Sequence, residues 1–323
     1  MKLKKRICAV LAVLLLALCT TGCGGSGGDT VYLSFPTAST SGTIYAVSAS
    51  LANLWNSQID GVQVSVESSN GGVQNLNLMA AGEAQLGVAV TSIITEQKNG
   101  TGTFEGHGYD GTRILTALYM NYNQMVVRSD AGIDTVADVK GKRFAPGAPG
   151  STTTLETELH FSAAGVNYPD DLEVSFVGFT EAVELIRNKQ MDGAWIMAGI
   201  PTSAVSEICT TAGGQLVSMD EELVNAMTTA YPWYNRAVIP AGTYEGQTED
   251  VVTTGVTICI FIDESVSDEV AYELAKVMYE NLDSITSVHN ALKDLTAEGA
   301  VQNLAGLPLH DGAAKYYKEI GVL

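Results

Sequence analysis

The chain has 323 residues, of which 46% are hydrophobic and 16% charged; this composition excludes a disordered protein and predicts about two domains. Its formal net charge is −19, from 17 Lys and Arg against 36 Asp and Glu. This balance argues against a nucleic-acid partner, because phosphate binding needs clustered cations. The 33 glycines favour many tight loops.

A basic and then apolar segment opens the chain. Its apolar run, at 7–18, is too short for a hydrocarbon core of about 30 Å at about 1.5 Å per residue. A secretory signal peptide over 1–22 is therefore favoured over a short transmembrane anchor. Thr20-Thr21-Gly22-Cys23 resembles a bacterial lipobox, with Thr20 where Leu is usual, and it makes Cys23 the predicted lipidation site. A Gly/Ser tether follows at once.

Downstream of this leader, strand and helix patterns alternate. At 44–55, Val47, Leu51, Leu54 and Trp55 lie at helical spacing. Strand, helix, strand, helix and strand in this order indicate βαβ units and a parallel sheet. The predicted strands are 31–35, 62–67, 86–90, 124–127, 143–145, 173–177, 194–197 and 256–262, and the first predicted helices are 44–55 and 73–81.

A helix–turn–strand unit occurs twice, at 74–90 and at 180–197. Any two such units look alike, so chance similarity is the competing interpretation. Two similar α/β lobes, joined by crossing segments near 124–130 and 248–258, have the topology of a two-lobed binding protein whose cleft closes by hinge motion.

We therefore expect an α/β, two-lobed, periplasmic-binding-protein-like (type II) fold, in which each lobe is a mostly parallel sheet flanked by helices and two hinge segments cross between the lobes. The predicted domains are a lipoprotein signal peptide at 1–22, a Gly/Ser tether at 23–29, lobe one at 30–127 plus 251–300, lobe two at 128–250, and a C-terminal segment at 301–323 that packs on the lobes.

The two cysteines beyond the leader, Cys209 and Cys259, lie in a helix pattern and a strand pattern. Two buried free thiols are favoured over a disulfide, since the sequence has no disulfide framework.

Motifs of catalysis and metal binding do not occur in the sequence. The four His residues are not in HExxH or another close metal spacing, and Glu158-Leu159-His160 is typical of a helix surface. There is no GxSxG elbow or Walker loop. We predict no enzyme activity, no metal and no cofactor; a hydrolase with an unmarked Ser/His pair is the remaining catalytic alternative.

Three small loops, rich in hydroxyls and glycine, precede helix patterns at 39–45, 68–72 and 150–154. A helix start offers free N–H groups and the positive end of the helix dipole, which favour a carboxylate or another anion. The hydroxyls can instead simply cap the helices. Because open α/β sheets bind ligands at the carboxyl ends of their strands, the three loops predict one shared site.

Several side chains outside these loops are further candidates. Trp195 and Tyr234 are candidates for the wall of the cleft, with a core position as the alternative, and Tyr119 has the same two interpretations. Arg128 and Arg236 are candidates for salt bridges at the hinge.

A series of short motifs runs along the chain after the leader. Residues 40–45 and 51–55 resemble TGGTYY and LAxLW, 67–78 resembles VESxGGxxENLxLL, 82–87 resembles GEADLG, and 136–143 resembles VADLKGKR. Residues 148–153 resemble APGSGT, 197–201 TAGxP, 239–247 IPAGTYxGQ, and 308–317 PLHxGAxRYY. In this order the motifs resemble those of the TAXI family, the solute-binding subunits of TRAP (tripartite ATP-independent periplasmic) transporters.

The resemblance implies a binding protein that captures a small organic acid outside the cytoplasmic membrane. Such proteins deliver it to a permease driven by an ion gradient, without ATP, and a glutamate-like acid or dicarboxylate is the expected ligand. The implied partners are this carboxylate or amino acid, the TRAP permease and the membrane, reached through a lipid on Cys23. We expect an exported monomeric lipoprotein on the outer face of the cytoplasmic membrane.

In the expected site, the N–H groups and hydroxyls of 150–153 hold the ligand carboxylate, and aromatic side chains close over its aliphatic part. Four departures from the family pattern lie in or near this cleft: Ser41 and Thr152 replace Gly, Ile44 replaces an aromatic residue, and Met120-Asn121 stands where Pro-Glu is common. The predicted ligand-binding residues are Ser39, Ser41, Gly42, Thr43, Tyr45, Asn70, Gly71, Thr91, Ser92, Tyr119, Gly150, Ser151, Thr152, Thr153, Trp195, Gly199 and Tyr234.

Two other classes of function stay open. A binding protein of an ABC importer has the same fold and export logic, and a neighbouring ATPase gene would mark it. A surface binding module coupled to a sensor, without transport duty, is the other class.

Overall fold

The structure is a computed structural model that describes residues 30–231, 233–302 and 304–323. The predicted signal peptide, the lipidated Cys23 and the tether lie outside the described residues. Within those ranges, no helix combines the length and the apolar character needed to cross a membrane.

Strands and helices alternate along most of the described chain. The strands are β1 (Val31–Pro36), β2 (Val62–Glu67), β3 (Leu86–Val90), β4 (Thr112–Arg128), β5 (Arg143–Ala145), β6 (Glu173–Val174), β7 (Gly193–Ala198), β8 (Gly214–Val217), β9 (Asn235–Ile239) and β10 (Val251–Asp263). The helices are α1 (Thr43–Gln58), α2 (Gly72–Ala80), α3 (Thr91–Asn99), α4 (Thr152–Ala163), α5 (Phe179–Arg187), α6 (Ser203–Ala212), α7 (Glu221–Ala230), α8 (Asp268–Glu280), α9 (Leu282–Thr286) and α10 (Asp311–Glu319).

Two long strands, β4 and β10, cross between two lobes. They pair antiparallel, from Gly255 opposite Tyr122 to Asp263 opposite Thr112. In the first lobe β10 also pairs with β3, and in the second lobe β4 pairs with β7 and β8 while β10 pairs with β9. The predicted two-lobed α/β fold is confirmed.

The sheets are mixed and not mostly parallel. β1 pairs with β2, and β5 with β6 and β7, in the parallel sense that the βαβ pattern predicts. Every pair that includes a crossing strand is antiparallel, because β4 and β10 run through each lobe against the direction of the strands beside them. The limits predicted for the domains remain predictions.

The crossing strand β4 is much longer than the strand predicted at 124–127, since it begins at Thr112. Polar residues interrupt its hydrophobic pattern, among them Asn121 and Asn123, and both are buried. The hydrophobic periodicity predicts that the strand ends at these amides, because burying a polar side chain without hydrogen-bond partners costs free energy. In the fold most of these groups are bonded, so the strand continues.

The repeated helix–turn–strand unit is present in both lobes as α2–β3 and α5–β7. In each lobe the strand of the unit pairs with a crossing strand, β3 with β10 and β7 with β4. The helix of each unit therefore starts beside the same cleft.

Apolar side chains fill the interior of each lobe. Trp55 and Phe35 are fully buried in the first lobe, where the Trp55 indole N–H donates to the Leu274 carbonyl at 2.9 Å. A second cluster, with Ile186, Ile196 and Ile208, fills the space between the sheet, α5 and α6 in the second lobe. The cysteine prediction is confirmed: Cys209 on α6 and Cys259 on β10 are both buried free thiols.

Candidate ligand-binding site

A cavity of about 60 Å³ lies between the lobes. Its first-lobe wall comes from the loops before α1 and α2 and from β3, and its second-lobe wall from the loops before α4 and α5 and from β7. Its floor comes from the crossing strands. The lining residues are Thr37, Ala38, Ser39, Gly42, Thr43, Ile44, Ser69, Asn70, Gly71, Gly72, Val88, Ala89, Val90, Asn121, Ala148, Ser151, Thr152, Thr153, Gly178, Phe179, Met197, Ala198 and Ile258.

Five helices start at this cavity: α1, α2, α3, α4 and α5. Glycine is the N-cap residue of α1, α2 and α5, and Val90 is that of α3, so in these four described helices no side chain bonds the first N–H groups. Gly71 has φ +98°, a conformation that residues with a Cβ rarely adopt. The free N–H groups and the positive dipole ends of these helices therefore face one small space.

Of the described residues that line the cavity, none has an ionisable side chain. Hydroxyls, one carboxamide from each of Asn70 and Asn121, and apolar groups make up the rest of the wall. A negative charge placed here would be stabilised by backbone dipoles and by neutral hydroxyl and amide groups, without a charged side chain.

The lobes touch across the cleft on both sides of the cavity. On one side the Thr43 hydroxyl donates to the Gly199 carbonyl at 2.7 Å, and the Ser41 and Thr180 hydroxyls lie 3.1 Å apart. On the other side Gly72 lies so close to Thr152 that a Cβ on the glycine would be 2.6 Å from Oγ1. The lobes are therefore in contact on two sides of the cavity.

The structure brings together part of the residue set predicted from the sequence. The eight that line the cavity are Ser39, Gly42, Thr43, Asn70, Gly71, Ser151, Thr152 and Thr153. They come from all three predicted loops. Among the described hydroxyls of these loops, Ser151 is the one that caps its helix, accepting from the Thr154 N–H at 3.2 Å. For Ser151 the capping interpretation is therefore correct. The other described hydroxyls of these loops do not cap a helix.

Five predicted residues near the cavity lie just outside its wall, and their contacts with a ligand remain predictions. Ser41 and Gly199 form contacts between the lobes, and Gly150 makes an exposed turn with φ +70°. Thr91 and Ser92 are buried in the first turn of α3, behind Val90.

The aromatic wall expected over the ligand is corrected. Tyr45 is half-buried on α1, where its neighbour Ile44 lines the cavity instead. Tyr119 is buried and lines a separate groove of about 620 Å³ beside Pro201 and Ala291. Phe179, at the start of α5, is the aromatic side chain in the wall of the cavity.

Trp195 and Tyr234 lie in the core of the second lobe, in a buried polar network under α4. The Trp195 indole donates to Asn123 Oδ1 at 3.0 Å, and the Tyr234 hydroxyl donates to Glu156 Oε2 at 2.7 Å. Asn123 Nδ2 donates in turn to Glu156 Oε2 and to Thr254 Oγ1, both at 3.0 Å. Their polar ends are used inside this network, so the core alternative is correct for both aromatics.

Two titratable side chains of this network, Glu156 and His160, are fully buried, and burial shifts the pKa of each towards its neutral form. Burial raises the pKa of Glu156 to about 7, although the hydrogen bonds from Tyr234 and Asn123 oppose the rise. Burial also lowers the pKa of His160 to about 4. His160 Nδ1 donates to the Glu156 carbonyl at 2.6 Å, and Nε2 accepts from Thr254 at 2.7 Å. His160 is therefore a core residue and not the surface residue that the sequence predicts.

The two arginine candidates form ion pairs away from the cavity. Arg128 bonds Asp130 at 2.7 Å and lies 3.4 Å from Asp192 at the end of β4. Arg236 bonds Glu221 at 2.6 Å. Both side chains are thus occupied by carboxylates of the protein.

The predicted list of ligand-binding residues leaves out several residues of the wall, among them Phe179, Gly72 and Asn121. Gly72 belongs to the predicted loop 68–72, and Asn121 is one of the departures placed in or near the cleft. The second copy of the helix–turn–strand unit signals Phe179, since α2 and α5 start at equivalent places. Asn121 carries only a weak signal, because a single amide within an apolar strand is also typical of an ordinary buried group.

Known proteins resemble the chain over nearly its whole length. The NMT1-like family matches residues 35–321. PhnD1 from Prochlorococcus marinus MIT 9301, in complex with methylphosphonate, is 12% identical, with a TM-score of 0.56 over 90% of this chain and 99% of that chain. A protein of Bordetella bronchiseptica RB50 is 15% identical, with a TM-score of 0.51 over 90% of this chain and 82% of that chain.

The periplasmic aliphatic sulphonate binding protein SsuA from Escherichia coli is 16% identical, with a TM-score of 0.46 over 90% of this chain and 84% of that chain. The likeness to PhnD1 extends over almost all of both chains, and it shows the α/β, two-lobed, periplasmic-binding-protein-like fold.

Gly72→Ala is expected to hold the lobes apart, because the added methyl group meets Thr152 of the other lobe and Ala89 at 3.1 Å. Overpacking of this kind costs about 1–3 kcal/mol. Small-angle X-ray scattering of the unliganded protein should therefore show a larger radius of gyration for the variant. Gly178→Ala is the matched control, since it also starts a cavity helix but its new Cβ meets nothing within 4 Å. Equal radii for the two variants would contradict a closing role for Gly72.

Glu156→Gln is expected to change how stability depends on pH. A carboxyl whose folded pKa is raised stabilises the fold fully below its unfolded pKa of about 4.5, and this contribution is lost as the pH rises through about 7. The free energy of unfolding of the variant, minus that of the parent, should therefore increase between pH 4.5 and 7 by up to about 1.4 kcal/mol per pH unit.

Urea unfolding at a series of pH values measures this difference. Glu158→Gln, at an exposed position of the same helix, is the control variant. A flat difference between Glu156→Gln and the parent would show that Glu156 titrates normally in the fold.

Proposed function

The chain belongs to the NMT1-like family, and we propose that it is an extracytoplasmic solute-binding protein that captures a small organic acid or amino acid between its two lobes. The observation that carries the proposal is the convergence of five helix starts, contributed by both lobes, on one cavity between the lobes. Such starts are ready-made sites for carboxylates and related anions. The protein binds its solute and does not transform it.

The ligand carboxylate is placed at the start of α4. There Ser151, Thr152 and Thr153 are each at least 95% buried, and the first N–H groups of the helix point out of its end. Hydroxyls at this position add hydrogen bonds to a charged acceptor, which are stronger than neutral ones. A formal net charge of −19 gives an anion no long-range attraction, so binding depends on these local dipoles.

Closure follows from contacts to both lobes. A solute held by α4 and α5 on one side and by α1, α2 and α3 on the other gains its full set of contacts only when the lobes are together. Because a ligand shifts an equilibrium by its differential affinity for the two states, such a solute favours the closed form. The membrane partner would recognise this closed form.

We place the protein in a TRAP transporter, as its TAXI-type binding subunit. The support is the ordered series of motifs, from 40–45 to 308–317, that resemble those of the TAXI family. The permease would be driven by an ion gradient, and a lipid on Cys23 would anchor the exported protein to the outer face of the cytoplasmic membrane. The protein acts as a monomer.

Glutamate is the ligand to test first, because the family resemblance favours acidic amino acids and dicarboxylates. Methylphosphonate is the second probe, since PhnD1, of similar fold, is bound to it. Both are compact anions of the kind that helix starts stabilise.

Glutamate is expected to raise the melting temperature of the purified protein, by an amount equivalent to about 2.7 kcal/mol at one hundred times its dissociation constant. Ser151→Ala should weaken binding about tenfold in isothermal titration calorimetry, because it removes a hydroxyl beside the carboxylate. Ser267→Ala is the matched control: Ser267 caps α8 in the same way, accepting from Val270, but does not line the cavity. Each variant loses about 1 kcal/mol of stability with its cap.

Equal affinities of the two variants would remove Ser151 from the site. Absence of any shift with glutamate, other amino acids, dicarboxylates and methylphosphonate would overturn the proposed class of ligand.

The transporter class is tested by uptake into vesicles that contain the permease encoded beside this gene. Uptake that needs this protein and an imposed ion gradient, without ATP, is the expected result. Uptake that needs ATP would assign the protein to an ABC importer instead.

A further inference from the structure

Three amide side chains occupy β4 within four residues, and two of them are fully bonded. Asn123 is bonded by Trp195 and bonds Glu156 and Thr254. Gln124 accepts from Tyr244 through Oε1 and donates through Nε2 to Thr202 at 3.1 Å. The third amide, Asn121, is different, because its carbonyl oxygen Oδ1 is buried and has no hydrogen-bond partner in the described part of the chain.

Asn121 lies on the floor of the cavity between the lobes. The residue is 3% exposed. Its backbone lies in β4 opposite Val256 of β10, so the pairing of the two crossing strands fixes its position. Thr152, at the start of α4, also lines the cavity, and its Oγ1 is likewise buried without a partner. Two residues of one cavity wall thus each have a buried polar atom without a partner.

Buried polar atoms in folded proteins are almost always bonded, and an unpaired one needs an explanation. A solute that supplies the missing partner explains both atoms. The carbonyl of Asn121 can only accept a hydrogen bond, whereas the helix starts around it can only donate. The solute that satisfies both needs a donor at one end and an acceptor at the other.

We propose that Asn121 is the specificity-determining residue of the site, and that it selects acids with an N–H or O–H donor next to the carboxylate, that is, 2-amino or 2-hydroxy acids. The donor has to be close to the carboxylate because Asn121 and Thr152, at the start of α4, line the same cavity. The inference rests on the proposed function and narrows its ligand class. Glutamate belongs to this class, and simple dicarboxylates do not.

The uncharged amide suits both kinds of donor. It accepts from an ammonium group without an ion pair, and it accepts from a hydroxyl equally well. An acid that lacks the donor leaves the Asn121 carbonyl buried and unpaired, and it therefore binds more weakly. Sites built to form a hydrogen bond reject analogues that cannot form it in the same way.

The test compares solutes that differ only at the donor: glutamate and 2-hydroxyglutarate against glutarate, and alanine and lactate against propionate. With the unmodified protein, calorimetry should show at least tenfold tighter binding of the donor-bearing members of the series that binds. Asn121→Leu removes the carbonyl at similar volume, and it should reduce this ratio to about one by weakening only the donor-bearing acids. Asn225→Leu, at an exposed position of α7, is the control and should keep the ratio.

Asn121→Asp gives a second readout if Asn121→Leu does not fold. Its carboxylate repels every acid but attracts an ammonium group, so the preference for the amino acid over its deaminated analogue should increase. An unchanged ratio in the variants, or equal binding of the matched solutes by the unmodified protein, would overturn the role of Asn121 and leave the proposed function intact. If no acid of either series binds, the proposed function itself fails.

Discussion

The antiparallel pairing of β4 with β10 is the constraint on which the rest of the structure depends. Both strands run through both lobes, and their register places Asn121 opposite Val256 at the floor of the cleft. Of the strands that precede the cavity helices, β3 pairs directly with this central ribbon, β5 joins it through β7, and β1 and β2 pair with each other. As a result, residues from distant parts of the chain, such as Thr43 and Thr152, meet in one cavity.

In the cleft, backbone N–H groups, and not charged side chains, are the groups available to bind an anion. Three of its helix starts have glycine as the N-cap, which leaves the first N–H groups free and allows another chain or a solute to come close. Of the five described helices away from the cavity, three are capped by a side chain, α7 by Asp220, α8 by Ser267 and α10 by His310, whereas α6 and α9 are not. Uncapped starts are therefore more frequent at the cavity, where α4, with Ser151 as its cap, is the exception among five helices.

Buried amides have two roles on the same strand. Asn123 is saturated and joins α4, β7 and both crossing strands into one network, in which Glu156 and His160 are held without solvent. Asn121, two residues earlier and on the same face of the strand, is unsatisfied at the cavity. The satisfied network fixes the core of the second lobe, and in our proposal the unsatisfied atom of Asn121 selects the solute.

The sequence by itself determined the alternation of strands and helices, the two lobes, the free thiols and the three loops of the cleft, because hydrophobic period and small hydroxyl residues are local signals. It also predicted eight residues of the cavity wall, all within those loops. Only the tertiary structure decided which side chains face the cavity and which are used elsewhere. Trp195 and Tyr234 turn into the core and Asn121 does not, because strand pairing and the closeness of the lobes set the partners of each polar group. No local pattern contains that information.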